Sequence, residues 1–366
     1  MDITQKTVVS LIKSALYKTK TVIPEGFDEE KAKAMICRHN ITGLIFFGLY
    51  NSGIEIPDWL NVKFQVKMRF MENLWYKSNE ITEAFRENDI EYIPLKGIIL
   101  KDLYPSPYMR LMSDADILIR EKDYRKKIRP VMQSLGYIEG TESDHELHWE
   151  KDGFLIELHK RIIPSYNKDF YKVIGDGFEW VKENKYAYIF THFAKHYRDS
   201  GIGIKHLVDL EVLRDKATDK GLKELYLDKF YENVQRTLDC WFRDKEFDEV
   251  TEQITQTILK SGEYGTKKTS LKSQNLKKLN EADGNYKKAR VKDFVGKVFP
   301  PYSAMKNRYA ILKKLPVLLP FMWIWRIICS PFKGNVRESL KQNKMITEDK
   351  DNYKEELNAV GLDFWF

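Results

Sequence analysis

"YIPLKGIILKDLYPSPYMRLMSDADILIR", Tyr92 to Arg120, decides how the rest of the chain is read. An extended run enters a Lys96–Gly97 pair, Arg110 follows in a proline-containing loop, and Asp114 and Asp116 then alternate with apolar residues. On a strand, residues i and i+2 project to one face, so the two aspartates point the same way. Two carboxylates held this close repel, and one is driven to protonate unless a cation lies between them. A solvent-facing edge, or pairing with Arg110 or Arg120, would equally explain them. The pair alone does not choose.

A third carboxylate shifts the balance. Glu157 stands in "FLIELHK" between Ile156 and Leu158, where a charge is costly to bury without a partner. Three carboxylates converging from neighbouring strands can hold Mg²⁺ or Mn²⁺, hard cations that prefer oxygen ligands. Upstream, the Lys96–Gly97 turn opens a predicted helix. The glycine lets backbone approach a phosphate, the helix start offers N–H donors, and Lys96 adds a point charge. A cation site beside a phosphate cradle suits phosphoryl or nucleotidyl transfer.

Working outward, residues 91–162 alternate strands and helices. "EYIPL", "DADILI" and "GYIEG" read as extended, and Asp152–Gly153 between two strand-like runs is a strong hairpin signal. Residues 1–90 read as helical: Leu60, Phe64, Met68, Met71, Trp75 and Ile81 recur at helical intervals after Asp58, a candidate N-cap. Residues 163–260 return to helix, with "KYAYIFTHFAKHYRD" and "IGIKHLVDLEVLRDKA" joined by "SGIG". Residues 261–292 are polar and lysine-rich and predict a long loop. Residues 293–366 predict a C-terminal helical segment. The expectation is an α+β fold, a small mixed β-sheet module embedded between helical regions.

Composition agrees with a folded chain. Its 366 residues are 43% hydrophobic and 31% charged, with a net charge of +7 that permits an anionic ligand without demanding one. Cys37, Cys240 and Cys329 are odd in number and dispersed, which argues against a disulfide framework and for a reducing, cytoplasmic setting. The first residues carry no secretion-signal pattern. "LPVLLPFMWIWRIICSPF", Leu315 to Phe332, is apolar, yet Pro316, Pro320 and Arg326 interrupt it. It predicts a buried or partner-covered helix, with an interfacial membrane helix as the rival and no stable membrane insertion.

Among the histidines, His192 and His196 at i, i+4 could ligate zinc with His206 or Asp209, but packing against the catalytic module or a place in the cleft for His196 or Asp209 is preferred. His159, two residues after Glu157, shares its strand face; it is a candidate to support the ligands or to face an acceptor. His145 and His148 read as surface residues. Tyr104 and Tyr108 could cover a base or simply pack the "YPSPY" turn.

Leu95, Lys96, Gly97, Tyr104, Arg110, Asp114, Asp116 and Leu118 resemble the signature of the uncharacterised nucleotidyltransferase family in the DNA polymerase beta superfamily. The resemblance continues through "IELHKRI", where Glu157 fits the third metal ligand, through "HFAKHYRDSGIGIKHLVDLEVL", and into "FPPYSAMKNRYAILKKLPVLLPFMWIWR". It implies Mg²⁺-dependent attack on the α-phosphate of an NTP, with Asp114, Asp116 and Glu157 as metal ligands and catalytic residues, and Lys96, Gly97 and Arg110 at the nucleotide. The wider superfamily carries Gly-Ser or Gly-Gly closer to the D-x-D. Here Gly97 precedes Ile98, and Lys96 and Arg110 are the expected substitutes for the serine. The acceptor could be a small hydroxyl compound, a protein side chain or a tRNA end. A non-catalytic module that binds a nucleotide, RNA or a protein partner is the alternative.

Overall fold

In the computed structural model, residues 1–120, 124–164, 168–216, 221–282, 285–329 and 350–362 are described. Four helices come first: α1 (Ile3–Tyr17), α2 (Glu29–His39), α3 (Thr42–Ser52) and α4 (Asp58–Glu87). Of the predicted apolar stripe of α4, Leu60, Phe64, Met71 and Ile81 are buried, joined by Leu74 and Phe85, while Met68 and Trp75 are half-buried. Its N-cap, however, is Pro57, with no side-chain cap bond; Asp58 is the first helical residue, where its charge still suits the helix dipole.

A five-stranded mixed sheet follows, with β1 (Tyr92–Pro94), β2 (Asp114–Ile119), β3 (Ile138–Glu142), β4 (Glu146–Lys151) and β5 (Phe154–His159) in the order β1-β2-β5-β4-β3. Only β2 and β5 pair in parallel; the other neighbours are antiparallel. Lys151 pairs with Phe154, leaving Asp152 and Gly153 as a two-residue turn with φ of 52° and 76°. Positive φ at both positions matches the right-handed strand twist, which is why Asp-Gly serves there. One sheet face is the core: Ala115, Ile117, Ile119, Leu147, Trp149, Ile156 and Leu158 pack with Leu74, Ile81 and Phe85 of α4 and with Val131 and Met132 of α6 (Arg129–Ser134).

Short helices α7 (Lys168–Ile174) and α8 (Phe178–Glu183) lead into α9 (Lys185–Asp199), α10 (Ile204–Val212), α11 (Asp228–Phe242) and α12 (Glu249–Ser261). Met1–Thr266 with Ala359–Phe366 form one compact unit, and Lys267–Asn358 another.

In the second unit the predicted long loop is largely helix: Lys267–Asn280 and Tyr286–Val298 are helical. Leu279, Ala282 and Ala289 form a small core there, a stripe too thin and too dependent on alanine to register among so many lysines. Lysine itself is a good helix former, so a Lys-rich stretch needs little burial to be helical. Leu319–Cys329 is helical, but Phe321, Ile324, Trp325 and Ile328 are exposed, which overturns burial within the chain; 330–332 lie outside the described residues. No described helix is long and apolar enough to cross a membrane.

Candidate active site

Strand pairing builds the site. Asp116 lies opposite Glu157, and Glu157 opposite His148, so Asp116, Glu157 and His148 form one row across β2, β5 and β4. In the next row His159 lies opposite Glu146. Cross-strand partners share a face, and this is the face turned away from the core. The alternation of "DADILI" therefore separates two jobs, with Ala115, Ile117 and Ile119 packing one side and the aspartates facing the other.

The carboxylates differ in their partners. Asp116 is buried, and its Oδ1 accepts from the Lys96 ammonium at 2.5 Å and bonds His159 Nε2 at 2.8 Å. Burial alone would raise its pKa, but Lys96 and His159 outweigh burial and hold the carboxyl well below the usual range. Glu157 has no such partner; its oxygens stand 3.7 Å from His148 Nε2 and from His159 Nε2. Burial, then repulsion from Asp116, push it up to about 8. Burial and Asp116 also raise Asp114, which makes no ion pair among the described residues. Arg120 does not neutralise the aspartates, being engaged by Glu91 and Glu179.

Lys96 reaches Asp116 from an unusual backbone. Its φ of 45° and ψ of −121° lie outside the basins an L-residue prefers, a conformation retained only when its surroundings over-determine it. Glycine at 97 suits the close approach of Met112: a Cβ there would stand 2.2 Å from Met112 Sδ, so any larger residue must displace that side chain. The helix that Gly97 opens, α5 (Gly97–Leu100), is a single turn, too short to offer much dipole. The charge beside the carboxylates comes from the ammonium instead.

These groups line a cavity of about 380 Å³, within the range of ligand sites. Lys96, Gly97, Arg110, Asp114, Asp116, Glu157, His159 and His196 all contribute to its wall. Sequence reasoning missed several others. His145 and Glu146 line the cavity and His148 sits half-buried beside Glu157, so the histidines expected at the surface belong to the site's margin. Burial pushes His145 down to about 4. Tyr188, His192 and Lys195 of α9, and Lys205 and His206 of α10, close the opposite side. Only the "SGIG" connection, by folding α10 back beside α9, could have hinted at this.

Arg110 and Asp209 meet directly. Arg110 Nε donates to Asp209 Oδ1 at 2.5 Å, and the Tyr104 hydroxyl donates to the same oxygen at 2.7 Å. Asp209 is buried and lies outside the main cavity, behind Arg110, whose guanidinium edge it fixes. Tyr104 thus serves packing and this hydrogen bond, and Tyr108 donates to Glu72. His192 and His196 bond each other through their Nε2 atoms at 3.0 Å. Burial drives His192 and His206 well below the imidazole range and His196 to about 3, so all three are neutral. They do not gather three ligand atoms into a zinc-like set.

Two other groups do. Asp116, Glu157 and His159 can each bring a ligand atom within 4.8 Å of the others, and so can Glu146, His148 and Glu157. Among the described residues these are the metal-competent groups, and Asp114 borders them without joining either. The donor set fits a hard divalent ion, because carboxylate oxygens dominate and because burial, then repulsion from Asp116, disfavour the Glu157 carboxylate in a way that a dication would offset. Imidazole within reach makes Mn²⁺ as suitable as Mg²⁺.

No curated protein and no solved structure matches the chain. One family does, that described as uncharacterised nucleotidyltransferase, over residues 25–233. That span takes in helices α2–α4, the whole sheet and both helices that close the cavity. With more than half its length matched and the acidic row inside the match, the chain belongs to the uncharacterised nucleotidyltransferase family.

Proposed function

We propose that the chain is a Mg²⁺- or Mn²⁺-dependent nucleotidyltransferase, moving an NMP from an NTP to a hydroxyl acceptor by two-metal catalysis. The observation that carries this is the row of Asp116 and Glu157, side by side across a parallel strand pair with Lys96 against Asp116. Asp114, Asp116 and Glu157 would hold the cations. Bound metal would polarise the α-phosphate and acidify the acceptor hydroxyl. His159 fixes the orientation of Asp116 through Oδ1. Lys96 and Arg110 face the nucleotide, Gly97 lets Met112 pack beneath them, and Asp209 holds Arg110 in place. The acceptor oxygen attacks the α-phosphorus as the bond to pyrophosphate breaks, and the hydroxyl proton passes to Glu157. His196 lines the same cavity from α9.

The acceptor class is open among a small hydroxyl compound, a protein side chain and a tRNA end. Dispersed cysteines, with Cys37 and Cys240 free, favour a cytoplasmic setting. Each α-labelled NTP, incubated with Mg²⁺ or Mn²⁺ and a cell extract, tests the proposal. Label should enter the protein or an extract fraction, and Asp116→Asn should abolish this. Metal-dependent NTP binding without transfer to any fraction would instead identify a binding module.

A further inference from the structure

The cavity has two unlike sides. Its sheet side carries Asp114, Asp116, Glu146 and Glu157, whereas α9 contributes Tyr188, His192, Lys195 and His196, a helical stripe without a carboxylate. Most cations around the cavity are already matched: Lys96 with Asp116, Arg110 with Asp209, and Lys205 with Glu263. Lys195 is the exception among the described residues. It lines the cavity half-buried, yet its ammonium makes no hydrogen bond or ion pair there. The nearest acid on its own helix, Asp199, binds Arg198 through both oxygens. On α10, His206 Nδ1 is likewise buried without a hydrogen-bond partner. A half-buried, unmatched ammonium is unfavourable unless an anion completes it. Burial depresses its pKa, and among the charged groups around it Asp199 and Glu146 oppose that while Lys96, across the cavity, and Arg198 add to it.

We infer that Lys195 of α9 binds the polyphosphate of the nucleotide. The phosphates then lie between the cation-holding sheet face and the α9 stripe, with Lys195 donating to a non-bridging phosphate oxygen. Lys195 touches the substrate at its leaving-group end and stands apart from the acidic row. The inference rests on the nucleotidyltransferase reading for the identity of its ligand.

The test is calorimetric binding of magnesium tripolyphosphate, and separately of the unphosphorylated nucleoside, to the full chain and to Lys195→Ala and Lys195→Arg. Lys195→Ala should bind tripolyphosphate about 10- to 100-fold more weakly, the loss of one charge-assisted contact. Its nucleoside affinity should be unchanged, and Lys195→Arg should recover most of the difference. Without ligand, Lys195→Ala should melt no lower than the parent, since it deletes an unmatched charge. Tripolyphosphate affinity within twofold of the parent, an equal loss for the nucleoside, or a lower melting point accompanying the loss would overturn the inference. Because binding is read without turnover, Lys195-dependent binding by a chain that transfers nothing would uphold this inference and sink the catalytic one.

Discussion

The two faces of the central sheet are written in the same residues and obey different physics. On one face, Ile117, Trp149, Ile156 and Leu158 are excluded from water and hold the sheet against α4 and α6. On the other, one position along each strand, Asp116, Glu157 and His148 crowd like charges and imidazoles into a row that only Lys96 and His159 partly offset. The first face lowers the free energy of the fold. On the second, Lys96 and His159 outweigh burial at Asp116, while burial and repulsion from Asp116 shift Glu157 up, the charge arrangement that is proposed to take up a dication.

Substitutions on the two faces should therefore separate cleanly. Asp116→Asn should cut nucleotide transfer by about a thousand-fold or more, because on the proposed mechanism it removes a charge that holds the cation at the phosphate. Trp149→Ala on the opposite face should cost about 3–5 kcal/mol of stability, read by denaturant titration, while its folded fraction keeps parental Mn²⁺ affinity. If the tryptophan variant lost metal affinity in proportion, the faces would not be independent.

Acidity sharpens the contrast. Burial, then Asp116, push Glu157 up to about 8, so a divalent ion bound there would have to displace its proton below that pH. Affinity should rise roughly tenfold per pH unit up to about pH 8 and then level. Without metal the sign reverses. The folded state keeps a proton that the unfolded chain releases near the ordinary glutamate value of 4.5, so melting temperature should fall as pH rises from there to about 8 and then level. Glu157→Gln should flatten both curves, and parallel curves for variant and parent would reassign the titration.

Smaller effects probe the supports. Gly97→Ala should cost about 1–3 kcal/mol by driving a methyl into Met112, and Met112→Ala in the same chain should recover most of it. Arg120→Ala should change stability by less than about 1 kcal/mol, its partners being exposed carboxylates, and should leave Mn²⁺ affinity intact. A drop in Mn²⁺ affinity would mean that Arg120 senses the aspartates after all.

Much of this was legible in local sequence. Strand alternation placed Asp114 and Asp116 together, Asp152–Gly153 set the hairpin that carries Glu157, and the periodicity of α4 gave its buried face. What stayed hidden depended on distant pairing. His148 joins the site only because β4 pairs with β5 in a register that sets it opposite Glu157, and nothing near His148 in the chain encodes that. Lys195 and Lys205 enter through the packing of α9 and α10 on the cavity. Helix Lys267–Asn280 escaped for a different reason, since its buried positions, Ser273, Leu276 and Leu279, are few and one is polar.

The most direct measurement of the central claim is a Mn²⁺ titration followed by electron paramagnetic resonance. The parent should bind Mn²⁺ at pH 8, and Asp116→Asn and Glu157→Gln should each lose most of that affinity while remaining folded. Parental Mn²⁺ binding in both variants would contradict a cation held by the acidic row.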